Sequence, residues 1–129
     1  ELQEERNWKN GKLEGLEKEY YESGELKRET NYKNGKLEGL ERHYYQSGKL
    51  KIEGSYKNHK REGILKIYHE NGELGWEESY INNELEGLAK EYYKNGEYRY
   101  IDTYKDGKKI NRKAYSTKGK LEFDQDYPQ

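Results

Sequence analysis

Cysteine is absent from these 129 residues, which excludes disulfides, thiolate zinc sites and a cysteine nucleophile together. No apolar run approaches the length of a membrane span, and no signal peptide is visible. No basic block exists to neutralise phosphates. Lys and Glu interleave throughout and the formal net charge is −1, so nucleic acid is not expected as a partner. Apolar residues are scarce: 29% of the chain is hydrophobic and 40% is charged, a balance that leaves many chains disordered. Disordered chains, however, are poor in aromatics and lack regular punctuation, whereas this one places 15 tyrosines at fixed positions. It reads as one folded domain with a thin core.

What is present is a 24-residue text written four times and then once more with a residue missing. Trp8, Tyr32, Tyr56, Tyr80 and Tyr104 open the copies. Copies one to four are therefore 8–31, 32–55, 56–79 and 80–103, and 104–129 is an atypical terminal copy. Residues 1–7 resemble the tail of a preceding copy, as Leu2 to Asn7 match Leu26 to Asn31. With a start at Glu1 and not Met, this predicts a processed or truncated N-terminus, and the compartment is left open. Self-similarity at such a period marks a repeat protein whose units bury their apolar faces against neighbours.

Segments such as Leu16–Tyr21 are rich in helix formers, and Glu and Lys are depleted in strands. Punctuation overrules propensity. Turn signals recur about every 12 residues, at Asn34-Gly35, Ser47-Gly48, Asn71-Gly72, Asn95-Gly96 and Asp106-Gly107. Asn-Gly and Asp-Gly supply the positive φ of two-residue hairpin turns. Asn58-His59 and Asn82-Asn83 replace them with residues that tolerate that region better than most. The spacing predicts an all-β antiparallel meander of about ten short strands, two per copy.

Two-residue turns throughout would pair Lys18 with Glu29, Arg42 with Glu53 and Lys66 with Glu77. They would also set Arg28 against Glu19 and Glu41, Ile52 against His43 and Leu65, and Trp76 against Ile67 and Ala89. One conflict arises in that register, because Lys27 would face Arg42 and Lys51 would face Lys66. The repeat glycines Gly15, Gly39, Gly63 and Gly87 would sit diagonally beside the opening aromatic, to be covered by its ring or to permit a bulge. Gly39→Val is expected to cost more stability than Gly54→Val, because only Gly39 is a repeat glycine.

The text Tyr32–Gly39, followed by Tyr44–Leu50, resembles the bacterial variant of the MORN repeat, and the likeness covers almost the whole chain. It implies an elongated, twisted sheet of stacked hairpins that serves as an interaction platform. Some bacterial members are described as the antitoxin component of a toxin–antitoxin module. The fifth copy departs from the pattern, with Asn111 at the repeat-glycine position and the single proline, Pro128, just beyond it.

Chemistry-bearing constellations are not expected. His43, His59 and His69 fall in different copies. Equivalent positions in successive copies are two strands, roughly 9.5 Å, apart, too far for ligands converging near 2 Å. The glutamates recur as a solvated set without one member isolated in an apolar pocket. Ser47, Ser79 and Ser116 lack a triad, and the glycines follow the 24-residue period instead of a phosphate loop. No catalytic, cofactor or metal residue is assigned, and the chain is read as a non-enzyme.

Copies two to four gain apolar residues where others are charged: Ile52, Leu65, Ile67, Trp76 and Ala89. Ile52, Leu65, Ile67, Trp76, Tyr45 and Tyr93 are the candidate partner-binding residues, either as a hot spot centred on Trp76 or as the deepest part of the core. The reading is a non-catalytic protein-interaction module, antitoxin- or immunity-like, with edge-strand pairing open to it. The alternative is an aromatic carbohydrate- or cell-wall-binding repeat, although only Trp8 and Trp76 are tryptophans. A membrane-surface role ranks last, for want of clustered cations or an amphipathic insert. Far-UV circular dichroism should show mainly β-structure; helix above about a third, the globular average, would overturn the meander.

Overall fold

The computed structural model describes residues 3–129. Leu2, part of the expected repeat tail, lies outside them; Glu4–Glu5 pairs with Gly15–Tyr20, Glu4 opposite Glu19. The described residues form no helix. Eleven strands follow one another across one antiparallel sheet in chain order, with no crossover. They are Glu4–Glu5, Gly15–Tyr20, Leu26–Lys33, Lys36–Tyr44, Leu50–Lys57, Gly63–Tyr68, Leu74–Ile81, Gly87–Tyr92, Tyr98–Lys105, Lys108–Tyr115 and Leu121–Asp126. Two-residue strands Lys60–Arg61 and Glu84–Leu85 extend the same sheet, while Trp8–Lys9 pairs with Lys12–Leu13 separately. The meander expected from the turn spacing is the fold.

Two turn types alternate along it. At one edge, Asn34 and Gly35 have φ of 52° and 77°, and Asn58-His59 and Asn82-Asn83 keep two positive φ angles without glycine. These are the two-residue turns that match strand twist. Each leans on the one before: Gly35 N–H donates to the Leu13 carbonyl (2.8 Å), and His59 N–H to that of Leu37 (2.8 Å). The substitutes also work through their side chains. His59 Nδ1 accepts the Leu37 N–H at 3.1 Å, and Asn83 Oδ1 accepts the Arg61 N–H at 2.7 Å.

The opposite edge differs from expectation. There the loop holds three residues, closed by Tyr21 N–H to the Glu25 carbonyl, with Gly24 at φ 100°. A bulge between Glu19 and Tyr20 then restores the pairing, so Lys18 faces Glu29 as read from the sequence.

A larger correction comes from the repeat glycines. Gly15, Gly39, Gly63 and Gly87 have φ between 80° and 90°, which only glycine adopts freely. They lie directly opposite Tyr32, Tyr56, Tyr80 and Tyr104. A Cβ on Gly15 or Gly87 would meet nothing within 4 Å, so the bulge explains the glycine and a covering ring does not. Around it the register slips by two residues. Arg28 therefore faces His43 instead of Glu41, Ile52 faces Ile67 instead of Leu65, and Trp76 faces Glu91 instead of Ala89.

The slip removes the like-charge conflict. Glu29 now faces Arg42, Glu53 faces Lys66 and Glu77 faces Lys90. An unbroken row of alternating sign results, Glu5–Lys18–Glu29–Arg42–Glu53–Lys66–Glu77–Lys90, ending at Ile101. Each such pair contributes about 0.2 to 1 kcal/mol, less where water screens it.

The other face holds the buried side chains: Glu17, Thr30, Glu41, Ala89 and Asp102. Space along that row is matched from copy to copy. Gly54 stands where copy one has Thr30, and a Cβ there would strike Arg61 Nη1 and come within 2.7 Å of Leu65 Cδ1. The sequence-based ranking of the two glycines is therefore replaced by two separate mechanisms. Gly39→Ala and Gly54→Ala should each cost about 1 kcal/mol or more in urea unfolding, through backbone strain and through crowding respectively. Measured against Arg61→Leu alone, which gives up the Glu41 ion pair but restores the residue of copies one, two and four, Gly54→Ala should cost less than it does in wild type, while the cost of Gly39→Ala should not change. Equal relief would disprove the distinction.

Candidate interaction site

On the face with the buried side chains, one row of paired residues changes character across the sheet. Arg28 and His43 lead to Ile52, Ile67 and Trp76, followed by Glu91 and Tyr100. The apolar triplet is thus placed by the bulge-corrected register, not by proximity in sequence. Leu65 lies on the same face, over Gly54.

Beyond that row, at the three-residue loops, successive copies are stapled together. Tyr21 Oη donates to the Tyr44 carbonyl at 2.6 Å, Tyr45 to the Tyr68 carbonyl at 2.5 Å, and Tyr93 to the Tyr115 carbonyl at 2.8 Å. A cation covers each ring, with Lys27 and Lys51 5.6 Å and Arg99 5.8 Å from the ring centres. Copy three lacks both parts. His69 occupies the tyrosine position and Gly75 the lysine position. Among the described residues no side-chain hydroxyl reaches the Tyr92 carbonyl as its counterparts are reached.

An open cleft of about 350 Å³ lies at this irregularity, within the size range of small-ligand sites. It is lined by Ile67, His69, Gly75 and Trp76 of copy three and by Tyr93 and Arg99 of copy four. Of the candidate residues, the cleft brings together Ile67, Trp76 and Tyr93. Ile52 stands one strand away in the same row, and Tyr45 borders a separate depression shared with His69. Trp76 is only half-buried; the deeply buried positions lie in the neighbouring row.

Four tandem matches decide the family: residues 13–34, 37–58, 61–82 and 85–106 each match the MORN repeat variant, together more than half the chain. The chain belongs to the MORN repeat variant family. MORN repeats generally act as protein- or membrane-interaction modules and are typically non-catalytic. No curated protein matches the chain closely enough to count as a relative. Among the described residues of this MORN protein, no helix is long and apolar enough to cross a membrane.

In the row beside the cleft, buried carboxylates of this MORN sheet pair with cations. Asp102, 3% exposed, accepts two bonds from the Arg112 fork at 2.8 Å each, with Lys109 at 3.3 Å. Glu41, 8% exposed, is held by Arg61 at 2.9 Å and by His43 at 3.6 Å. Burial alone would raise both carboxyls, but their cationic partners outweigh it and hold both below the usual carboxylate range. At the cleft, Glu91 pairs with Arg99 at 3.3 Å. Burial, with Glu77 nearby, pushes the Tyr92 phenol up to about 12, so it stays protonated at neutral pH.

His69, weighed only as a metal ligand, and Gly75, Glu91 and Arg99 were not among the partner-binding residues expected from the sequence. The signal was present, since His69 and Gly75 break a Tyr and a Lys that recur in other copies. It differs in kind from that of the apolar candidates, because neither change turns a charged position into a large hydrophobic one. The opposite face carries Leu40, Ile64 and Leu88, all exposed, at the repeat spacing. Roughly 9.5 Å separates successive members, so they stand singly and form no continuous patch.

Glu41 and Asp102 set the acid response. Their folded pKa values are depressed, so their contribution is complete above the ordinary carboxylate values and is lost as pH falls through the folded ones. Urea unfolding should show constant stability from neutral pH to about pH 5 and a decline below about pH 4. Asp102→Asn should make that decline shallower, and Arg112→Ala should cost about 2 kcal/mol at neutral pH by removing two charge-assisted bonds and leaving the buried carboxylate to Lys109 alone. An unchanged acid profile in Asp102→Asn would refute this assignment.

Proposed function

We propose that this MORN protein is a non-catalytic protein-interaction module whose contact site is the cleft over Trp76. The observation that carries this is the convergence of Ile67, Trp76 and Tyr93 in an open cleft. It sits in the one internal copy whose tyrosine staple is missing. Contact energy concentrates in a few central aromatics, and tyrosine offers large area with little entropy loss. The formal net charge of −1 does not favour a polyanionic partner. An antitoxin- or immunity-like role is the specific form that the family resemblance suggests, with a toxin as the partner.

A second reading is favoured by the polar rim of the same cleft. Glu91, His69 and Arg99 surround an aromatic floor, as in sites that orient a sugar ring. A glycan array separates the two readings, and a saturable signal there with no protein partner would promote the carbohydrate.

The test begins with co-purification from the native host, followed by titration of the captured protein against wild type and Trp76→Ala. Because Trp76 is half-buried, the mutant should lose only about 1 to 2 kcal/mol of stability. Partner binding should weaken by about 2 kcal/mol or more. Binding unaffected by the mutation would move the contact site elsewhere, and complete unfolding of the mutant would make Trp76 a core residue.

A further inference from the structure

The repeats themselves show what the cleft of copy three lacks. In copies one, two and four the corresponding space is filled by a phenol ring, that of Tyr21, Tyr45 or Tyr93. Its hydroxyl donates to a backbone carbonyl of the next copy, at Tyr44, Tyr68 or Tyr115. In copy three the equivalent residue is His69, the equivalent acceptor is the Tyr92 carbonyl, and both border the cleft. The shorter imidazole does not span the gap. It lies over Gly75, where a Cβ would be 2.8 Å from Nε2, so the loss of a lysine side chain makes room for it. His69 Nε2 is itself buried and has no hydrogen-bond partner. Trp76 supplies a floor and Arg99 a cation beside the vacated space.

We propose that this cleft binds a phenolic ring, the side chain of a tyrosine on a protein partner, in the position that the other copies fill with their own tyrosine. The ring packs on Trp76 and its hydroxyl donates to the Tyr92 carbonyl. Aromatic pairs gain attraction beyond their buried area, and a buried hydroxyl finds a partner there. The proposal rests on the interaction reading for the source of the ring; the ring site can be tested by itself.

The full chain carrying Trp8→Phe, at a position 62% exposed, leaves Trp76 as the single tryptophan. Titration with N-acetyl-tyrosinamide should change Trp76 emission saturably and shift its indole N–H resonance. N-acetyl-phenylalaninamide, which lacks the hydroxyl, should bind roughly two- to tenfold more weakly. His69→Tyr should refill the space, raise the thermal midpoint and remove the saturable response. His69→Phe, which blocks the space without a hydroxyl, should remove the response without the same gain in stability. No saturable change, equal affinity for the two amides, or undiminished binding by both His69 variants would overturn the ring site. A partner that binds wild type and His69→Tyr alike would also overturn it, while leaving the interaction reading in place. Saturable amide binding with no protein partner recovered would overturn the protein as the source of the ring.

Discussion

A left-handed backbone at Gly15, Gly39, Gly63 and Gly87 governs the pairing of the first four copies. The bulge at each glycine offsets the register by two residues, and a shift by two keeps every side chain on its face. Only the partners change. Without the offset, Lys51 would oppose Lys66; with it, Glu53 does. A sheet with so few aliphatics has little hydrophobic energy to absorb like-charge contacts, so the offset matters more here than in an apolar sheet. The fifth copy supports the point from the other direction. It has Asn111 at the glycine position and one residue fewer, its bulge shifts the register by one, and Arg112 meets Asp102.

The same scarcity explains the character of the buried row. Ala89 is the one buried hydrophobic residue among those described, and Glu17, Thr30, Glu41 and Asp102 are buried with it. Carboxylates can occupy such positions because guanidinium groups bridge them to adjoining strands. Arg6 reaches Glu17 at 2.6 Å, Arg61 reaches Glu41 and Arg112 reaches Asp102. The arginines also lie over rings, Arg61 4.4 Å from the Tyr56 centre and Arg112 4.1 Å from that of Tyr100. One planar cation thus covers an aromatic and neutralises an acid, a combination that lysine's compact charge serves less well. Such pairs are demanding, since an unmatched partner leaves a buried charge.

Much of this was legible in the text. The 24-residue period, the alternation of turn signals and the substitution of Asn58-His59 for Asn-Gly led directly to the meander and to positive φ at those turns. The register was half legible. Pairs across the three-residue loops, such as Lys18 with Glu29, were read correctly because two local irregularities cancel there. Pairs across the Asn-Gly turns were misread because a bulge has no fixed residue count that one sequence reveals. The Lys51–Lys66 conflict was the clue, and it marked the place where the register fails. For the candidate site, Ile67, Trp76 and Tyr93 meet in one cleft, while His69 and Gly75 were missed. A residue lost from a repeating contact carries no hydrophobic signal of its own; only the contact's recurrence in other copies exposes it.

Strand order in this sheet is chain order, with Glu4–Glu5 and Leu121–Asp126 at opposite ends of the path. Ten strand spacings separate those edges, about 48 Å at the usual interval. Tension between the two ends therefore runs along the interstrand hydrogen bonds and not across them. A sheet loaded that way opens one strand at a time, like a seam. Copy three, without its tyrosine staple, is the stitch that holds least at the loop edge.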